Sequence, residues 1–417
     1  GFDAETAFNP QAPPRHLDAE GISERRSGPE GFVPDRPGGA ERTPGRSLAE
    51  FEAPPIAADA QLVDYMTLLG GALDYLDGAI SVATANSFTL PYSWLQADVT
   101  SDVLVRLAHS YKARLMAQVA RTPQERAALN WSAISSEVDA GIQETFMMEY
   151  DWNLGWYYGA LEYGVWPTWS QLSYWIYGMA DQSGNYQEWL SLDLEAKSHL
   201  LPDSQPVLIR TPDLRFPQGA TVEEQRLNPG EYFAIASESQ EGDTWKRPER
   251  GTWRWSWYKD APTHHLSYAW NDEFVQPEIQ LAEMRLLKAE ALYRSGDFSG
   301  AASIINETRV PAGLSPADAS GANVSCVPKL PDGSCGGLWE MLKWEKRMET
   351  SWTGVAGANW WFDARGWGDL LKDTPLQFPI PCQDLMDLEL GSCYTFGGPG
   401  GTMGSGGSSY SFMSIGG

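Results

Sequence analysis

Residues 280–309 constrain the fold of this chain more than any other segment. Gln280 to Ser295 reads QLAEMRLLKAEALYRS, a run of strong helix formers with an apolar stripe. Gly296-Asp297 breaks that helix, and Phe298 to Thr308 forms a second one with Ala301, Ile304 and Ile305 turned inward. Alanines on the facing sides let two helices approach closely. A chain holding such a pair is committed to helix-on-helix packing.

The same pattern recurs elsewhere. From about Ala57, residues Leu62, Met66, Leu69, Leu73, Leu76 and Ile80 recur at three- and four-residue steps, as one buried helical face requires. Thr100-Ser101-Asp102 caps a second helix striped by Val103, Leu107, Tyr111, Leu115 and Val119. It stops at Thr122-Pro123, where a further single helix begins that carries Trp131, Ile134, Val138 and Ile142. A last helix, Leu338 to Thr350, places Met341, Leu342 and Met348 opposite charged residues. Alanine packing faces, a Gly-Asp turn and an aromatic just after it are the grammar of a tetratricopeptide-type hairpin. The expected fold is mainly α, a tetratricopeptide-like helical-repeat scaffold with an aromatic-rich insertion of loops and short strands.

Residues 1–56 are rich in Pro, Gly and charge, and read as an extended arm. Residues 57–390 form the main domain, with helical hairpins at 57–145 and 278–352, an aromatic insert at about 146–277 and a closing segment at 353–390. Residues 391–417 are a Gly/Ser-rich tail. The insert holds Tyr150, Trp152, Trp156, Trp166, Trp169, Tyr174 and Trp175, then Trp245, Trp253, Trp255 and Trp257. Alternation of the last three predicts a short strand with one aromatic face. The first residues, Gly-Phe-Asp-Ala-Glu, carry no basic head or apolar run, so the numbering is expected to begin at a processed end.

Acidic residues outnumber basic ones by 55 to 30, a net charge of −25, which disfavours a duplex nucleic acid as partner. With 19 Trp and 17 Tyr there is ample material for a core, so wholesale disorder is excluded. No run of about 20 apolar residues occurs, as a membrane-spanning helix would need. The four cysteines are Cys326, Cys335, Cys382 and Cys393. Their spacing fits no zinc knuckle or redox pair. Two disulfides, Cys326–Cys335 and Cys382–Cys393, in a protein working outside the cytoplasm are one reading. Four free thiols in a reducing cytosol are the other.

No catalytic motif stands out, and no enzyme activity is expected. His264-His265 are adjacent and so point apart. Glu345 and Glu349 share one helix face, as a glycosidase pair might, but such a pair more often flanks a cation. Asp181, Ser183 and Asn185 resemble a calcium loop only loosely, because the downstream glutamate is misplaced. Calcium is therefore the one cofactor considered, and nothing supports it. Sequons start at Asn130, Asn306 and Asn323. The aromatic insert is the better lead. Exposed Trp and Tyr faces stack on sugar rings while their polar tips bond hydroxyls. Most of these residues are expected in the core, with Trp166, Trp169, Tyr174, Trp253 and Trp255 as the candidate platform.

The stretch from Glu283 to Asp297, followed by Ala301-Ala302 and Ile304 to Arg309, resembles the RagB/SusD family of outer-membrane nutrient-binding lipoproteins. Downstream, Leu342 to Glu349 is similar to that family's charged helix, and Trp361 to Gly368 to its Asp-x-Arg-x-Trp-Gly segment. Pro379-Ile380-Pro381 with Asp384-Leu385 resembles its closing turn, while Val105 to Ala108 and Arg114-Leu115 fit its early helices. The resemblance implies a SusD-like scaffold on the outer face of a Gram-negative outer membrane. It also implies capture of an oligosaccharide or peptide and delivery to a TonB-dependent transporter of the SusC type. No cysteine stands at residue 1, where such a protein would carry its lipid, and Gly357-Ala358 occupies a position where many members have arginine. A rival expectation is a self-assembling surface or filament subunit, joined through residues 1–56 and 391–417.

Overall fold

The computed structural model describes residues 63–151, 171–193, 196–197, 205–235, 256–260, 273–351, 353, 359–371, 374 and 376–377. The chain divides into two compact units, 1–71 with 378–400 and 72–377 with 401–417. The first is described only at 63–71, where Asp64 accepts hydrogen bonds from the Met66 and Thr67 amides and starts a helix. The fold is mainly α.

Helix α1 spans Tyr65–Ala85 and α2 is the single turn Tyr92–Leu95. They are followed by α3 (Ser101–Gln118), α4 (Pro123–Ala127) and α5 (Trp131–Ala140). Thr100 and Thr122 cap α3 and α4 through their hydroxyls, as their positions predict. The helix expected to run on from Pro123 is instead split. The Asn130 side chain accepts from the Ala133 amide and starts α5 afresh, while the Trp131 indole donates back to the Arg126 carbonyl. The α1 stripe is also corrected: Met66 is 50% exposed, and of the whole helix only Ala83 is fully buried.

Strand β1 (Phe146–Asp151) pairs antiparallel with β4 (Glu273–Ile279), Asp151 lying opposite Glu273. The chain between them, 152–272, therefore leaves and re-enters the scaffold at one point. Its described parts are α6 (Tyr174–Tyr177), α7 (Asn185–Ser191), α8 (Val222–Leu227) and the short antiparallel pair β2 (Phe233–Ile235) and β3 (Tyr258–Asp260). The strand predicted at 253–257 falls mostly on residues outside the described set.

The hairpin of residues 280–309 is α9 (Leu281–Ser295) and α10 (Phe298–Arg309). Gly296 closes α9 in the left-handed region at φ 87°, and Asp297 caps α10 through the Gly300 amide. Helices α11 (Leu338–Glu349) and α12 (Asn359–Trp367) complete the scaffold. Helix α9 is buried on two sides. Met284, Leu287 and Ala291 pack with Leu107, Ala117, Ile134 and Val138 of α3 and α5. Leu286 and Ala289 pack with Ile304, Ile305, Met341 and Leu342 of α10 and α11. The insert has its own core, in which Tyr174, Trp189, Phe216, Phe233 and Tyr258 close on Trp344 and Met348 of α11. Among the described residues no helix is long and apolar enough to cross a membrane.

Candidate functional site

Several charged residues of the distinctive segments are buried and paired. Arg114 on α3 forks onto Glu283 of α9 at 2.7 and 2.8 Å. Arg126 on α4 forks onto Glu290 of α9 at 2.7 and 2.8 Å and reaches Asp363 of α12 at 2.9 Å. Burial pushes the Glu290 carboxyl up, but the Arg126 charge and hydrogen bonds, with Arg294 and Lys346 behind them, outweigh burial and hold it near 2. Arg215, from the insert, bonds Asp213 and both carboxylates of the α11 pair, Glu345 at 2.8 Å and Glu349 at 3.4 Å. Arg309 and Thr308 also reach Glu345, and the Tyr232 hydroxyl donates to Glu349. Each oxygen of Glu345 is committed to a cation or hydroxyl, so the pair braces insert to scaffold and has no room for acid–base work.

Of the expected platform, Trp166, Trp169, Trp253 and Trp255 lie outside the described residues. Tyr174 does not belong to it. It is fully buried, tilts against Trp189 at 5.3 Å and donates its hydroxyl to the Val207 carbonyl. The disulfide Cys326–Cys335 is formed, closing a turn that Arg309 and Asn323 anchor through the Val327 carbonyl. Cys382 and Cys393 lie outside the described residues, as does His264-His265.

The loose calcium reading fails on its own donors. Asp181 is buried, and its two oxygens accept from the Ser183, Gly184, Tyr186 and Arg210 amides and the Ser183 hydroxyl. Asn185 donates to the Leu208 carbonyl. A cation there would meet N–H groups, so the cluster is a turn that orders α7. Among the described residues no group of acidic, His or Cys side chains could hold a metal ion. Two sequon asparagines are likewise structural: Asn306 bonds both backbone groups of Ala317, and Asn323 bonds the Val327 and Gly336 carbonyls.

Among the described residues Tyr92 and Trp94 are exposed aromatics outside the insert to which the candidate platform was assigned. Pro91, Tyr92, Ser93 and Trp94 are all exposed on the α2 turn, with Trp94 at 60% and Tyr92 at 40%. The loop beneath is tightly braced. The Leu90 amide bonds the Val99 carbonyl, the Ser101 amide bonds that of Phe88, and Thr89 bridges Thr100. Gln96 is buried in the left-handed region at φ 48°, accepting from the Glu149 amide of β1 at 3.0 Å. The Tyr92 hydroxyl donates to the Glu149 carboxylate. That hydrogen bond, then partial burial and the charges of Glu149 and Asp98, push the Tyr92 hydroxyl up to about 12. Residues two apart on a helical turn point to different sides. Tyr92 therefore turns towards Glu149 of β1, while Trp94 projects to a different side of the turn. A Pro-Tyr-Ser-Trp tetrapeptide between two helical stripes was the available signal.

No family model and no curated protein matches this chain, and no solved structure matches its fold.

Proposed function

We propose that this chain is a non-catalytic glycan-binding protein of the RagB/SusD type, which captures an oligosaccharide at the cell surface and passes it to a TonB-dependent transporter of the SusC type. The observation that carries the reading is Trp94, a tryptophan 60% exposed on a loop held by backbone hydrogen bonds and a β-bridge. Exposing an indole to water forfeits the stabilisation that burying it would bring, and a rigid loop gains nothing from it internally. A rigid exposed ring is what stacking on a sugar face requires, since its ordering precedes binding.

The scaffold suits that role. Hairpins α3–α5 and α9–α10 are taken as tetratricopeptide-like units, and Arg114, Glu283, Glu290 and Glu345 of the family-like segments sit in buried ion pairs. In this reading the outer face of a Gram-negative outer membrane is the location, and the insert carries further aromatic contacts from Trp166, Trp169, Trp253 and Trp255.

A glycan array followed by calorimetry on the best ligand tests the proposal. Trp94→Ala is expected to weaken binding about tenfold, the worth of one good aromatic contact. Wild-type affinity in Trp94→Ala and in the Trp166, Trp169 and Trp253 alanine variants alike would remove the aromatic basis of the reading.

A further inference from the structure

The disulfide loop, residues 326–335, bonds to the insert on one side and to the scaffold on the other. Towards the insert, the Gln182 side chain donates to the Cys326 carbonyl and the Lys329 amide to the Met179 carbonyl, each at 2.7 Å. The Gln187 side chain also reaches the Leu330 carbonyl, at 3.4 Å. Val327 is fully buried in the insert core, and Leu330 packs against that core. Towards the scaffold, Arg309 of α10 and Asn323 both donate to the Val327 carbonyl. The two cysteines differ in setting. Cys335 is exposed. Cys326 lies in the left-handed region at φ 51°, which among the described non-glycine residues only Gln96 shares. A residue with a side chain rarely adopts that conformation and keeps it only where its surroundings enforce it. One strained residue thus carries both an end of the cross-link and the carbonyl that Gln182 grips.

We propose that Cys326–Cys335 is a redox latch on the edge of the insert. With the bond formed, the loop holds residues 178–192 to the scaffold, and a dithiol reductant releases them. A thiolate of the dithiol attacks Cys335 Sγ, and the Cys326 sulfur leaves as a thiolate and takes up a proton. The second thiol of the reductant then displaces the Cys335 thiol. The protein disulfide is reduced to two thiols and the dithiol is oxidised to a disulfide, its two protons passing to the cysteines. Cys326 is then free to leave the left-handed region, which turns its carbonyl away from Gln182. An open loop without its cross-link also gains the closure entropy that the disulfide withholds, so reduction favours opening. The tie of Arg215 to Glu345 lies outside the loop and keeps the rest of the insert docked. The latch is independent of what the insert binds.

Native-state hydrogen exchange of the whole chain at rising urea, with and without dithiothreitol, tests the latch. Intact mass under the same native conditions shows whether the bond has opened. Reduction is expected to speed exchange at 178–192 and 326–335 about a hundredfold, as the closure entropy of so short a loop gives. Those amides should show little urea dependence, whereas amides of α3 and α9 keep the steep dependence of whole-unit unfolding. The double variant Cys326→Ser/Cys335→Ser, which leaves Cys382 and Cys393 in place, should match the reduced protein without reductant. A bond that dithiothreitol leaves intact in the folded protein overturns the latch, as does unchanged exchange at 178–192 and 326–335. Exchange there with the same steep urea dependence as α3 and α9 also overturns it, since the disulfide would then stabilise the unit only as a whole.

Discussion

Arg126 is enclosed on every side, and its two carboxylate partners sit on different helices. Its guanidinium also lies over Trp367 at 5.1 Å and Trp131 at 5.5 Å. Removing it leaves Glu290 and Asp363 buried without a counter-charge, so Arg126→Ala is expected to cost about 3–5 kcal/mol in urea unfolding. The titration of Glu290 gives this cluster a pH signature. Its folded pKa lies below its ordinary 4.5, so the stabilisation is fully present above about pH 4.5 and is lost as pH falls towards 2. Arg126→Ala should flatten stability across that window, and an unchanged slope would assign the acid sensitivity elsewhere. Tyr92 works in the opposite sense. Its raised hydroxyl favours the protonated form, so its bond to Glu149 holds below pH 10 and is lost as pH rises through about 12. Ring-carbon NMR should follow that titration, and Glu149→Ala should return it towards 10.

At the scale of elements, turn chemistry decides most boundaries. Gly296 holds a positive φ with open space around it, so a methyl there meets no clash and only backbone strain. Gly296→Ala is expected to cost about 1 kcal/mol, read from the shift in denaturation midpoint. Reducing Cys326–Cys335, which closes a short loop, should cost about 3 kcal/mol through the loop entropy regained by the unfolded chain. These features were legible because local signals fix them: a Gly-Asp break, a Thr-Pro start, two cysteines around a turn. The break at Asn130 was not, since an apolar stripe runs through it and only the cap and the Trp131 indole bond reveal it. Nor was the partial exposure of α1, because periodicity reports that a face is apolar and not what covers it. The buried arginines were hidden for a further reason. Arg215 and Glu345 are 130 residues apart, and no local pattern marks such partners. The platform choice erred at Tyr174 for the same cause: an aromatic in a loop-like segment carries no sign of whether the loop folds back on it.

The whole second unit holds together through those long-range pairs. Arg215 ties the insert to α11, and the insert core shares Trp344 and Met348 with it. Replacing 152–272 by an Asn-Gly turn between β1 and β4 would uncover Glu345, Glu349 and Trp344. That variant is expected to lose its near-ultraviolet circular dichroism, whereas an autonomous scaffold would keep it. The net charge of −25 acts on the same scale through self-repulsion. Raising salt from 0.01 to 0.15 M shortens the Debye length from about 30 to about 8 Å and should raise the thermal midpoint by about 2–4 °C. Trp94, exposed on α2, carries the glycan reading. Titration calorimetry of the intact chain and of Trp94→Ala, with the oligosaccharide that binds best on an array, measures its part directly. Saturable binding that weakens about tenfold in the variant, about 1.4 kcal/mol, is expected. Identical binding by both proteins, or none by either, would contradict it.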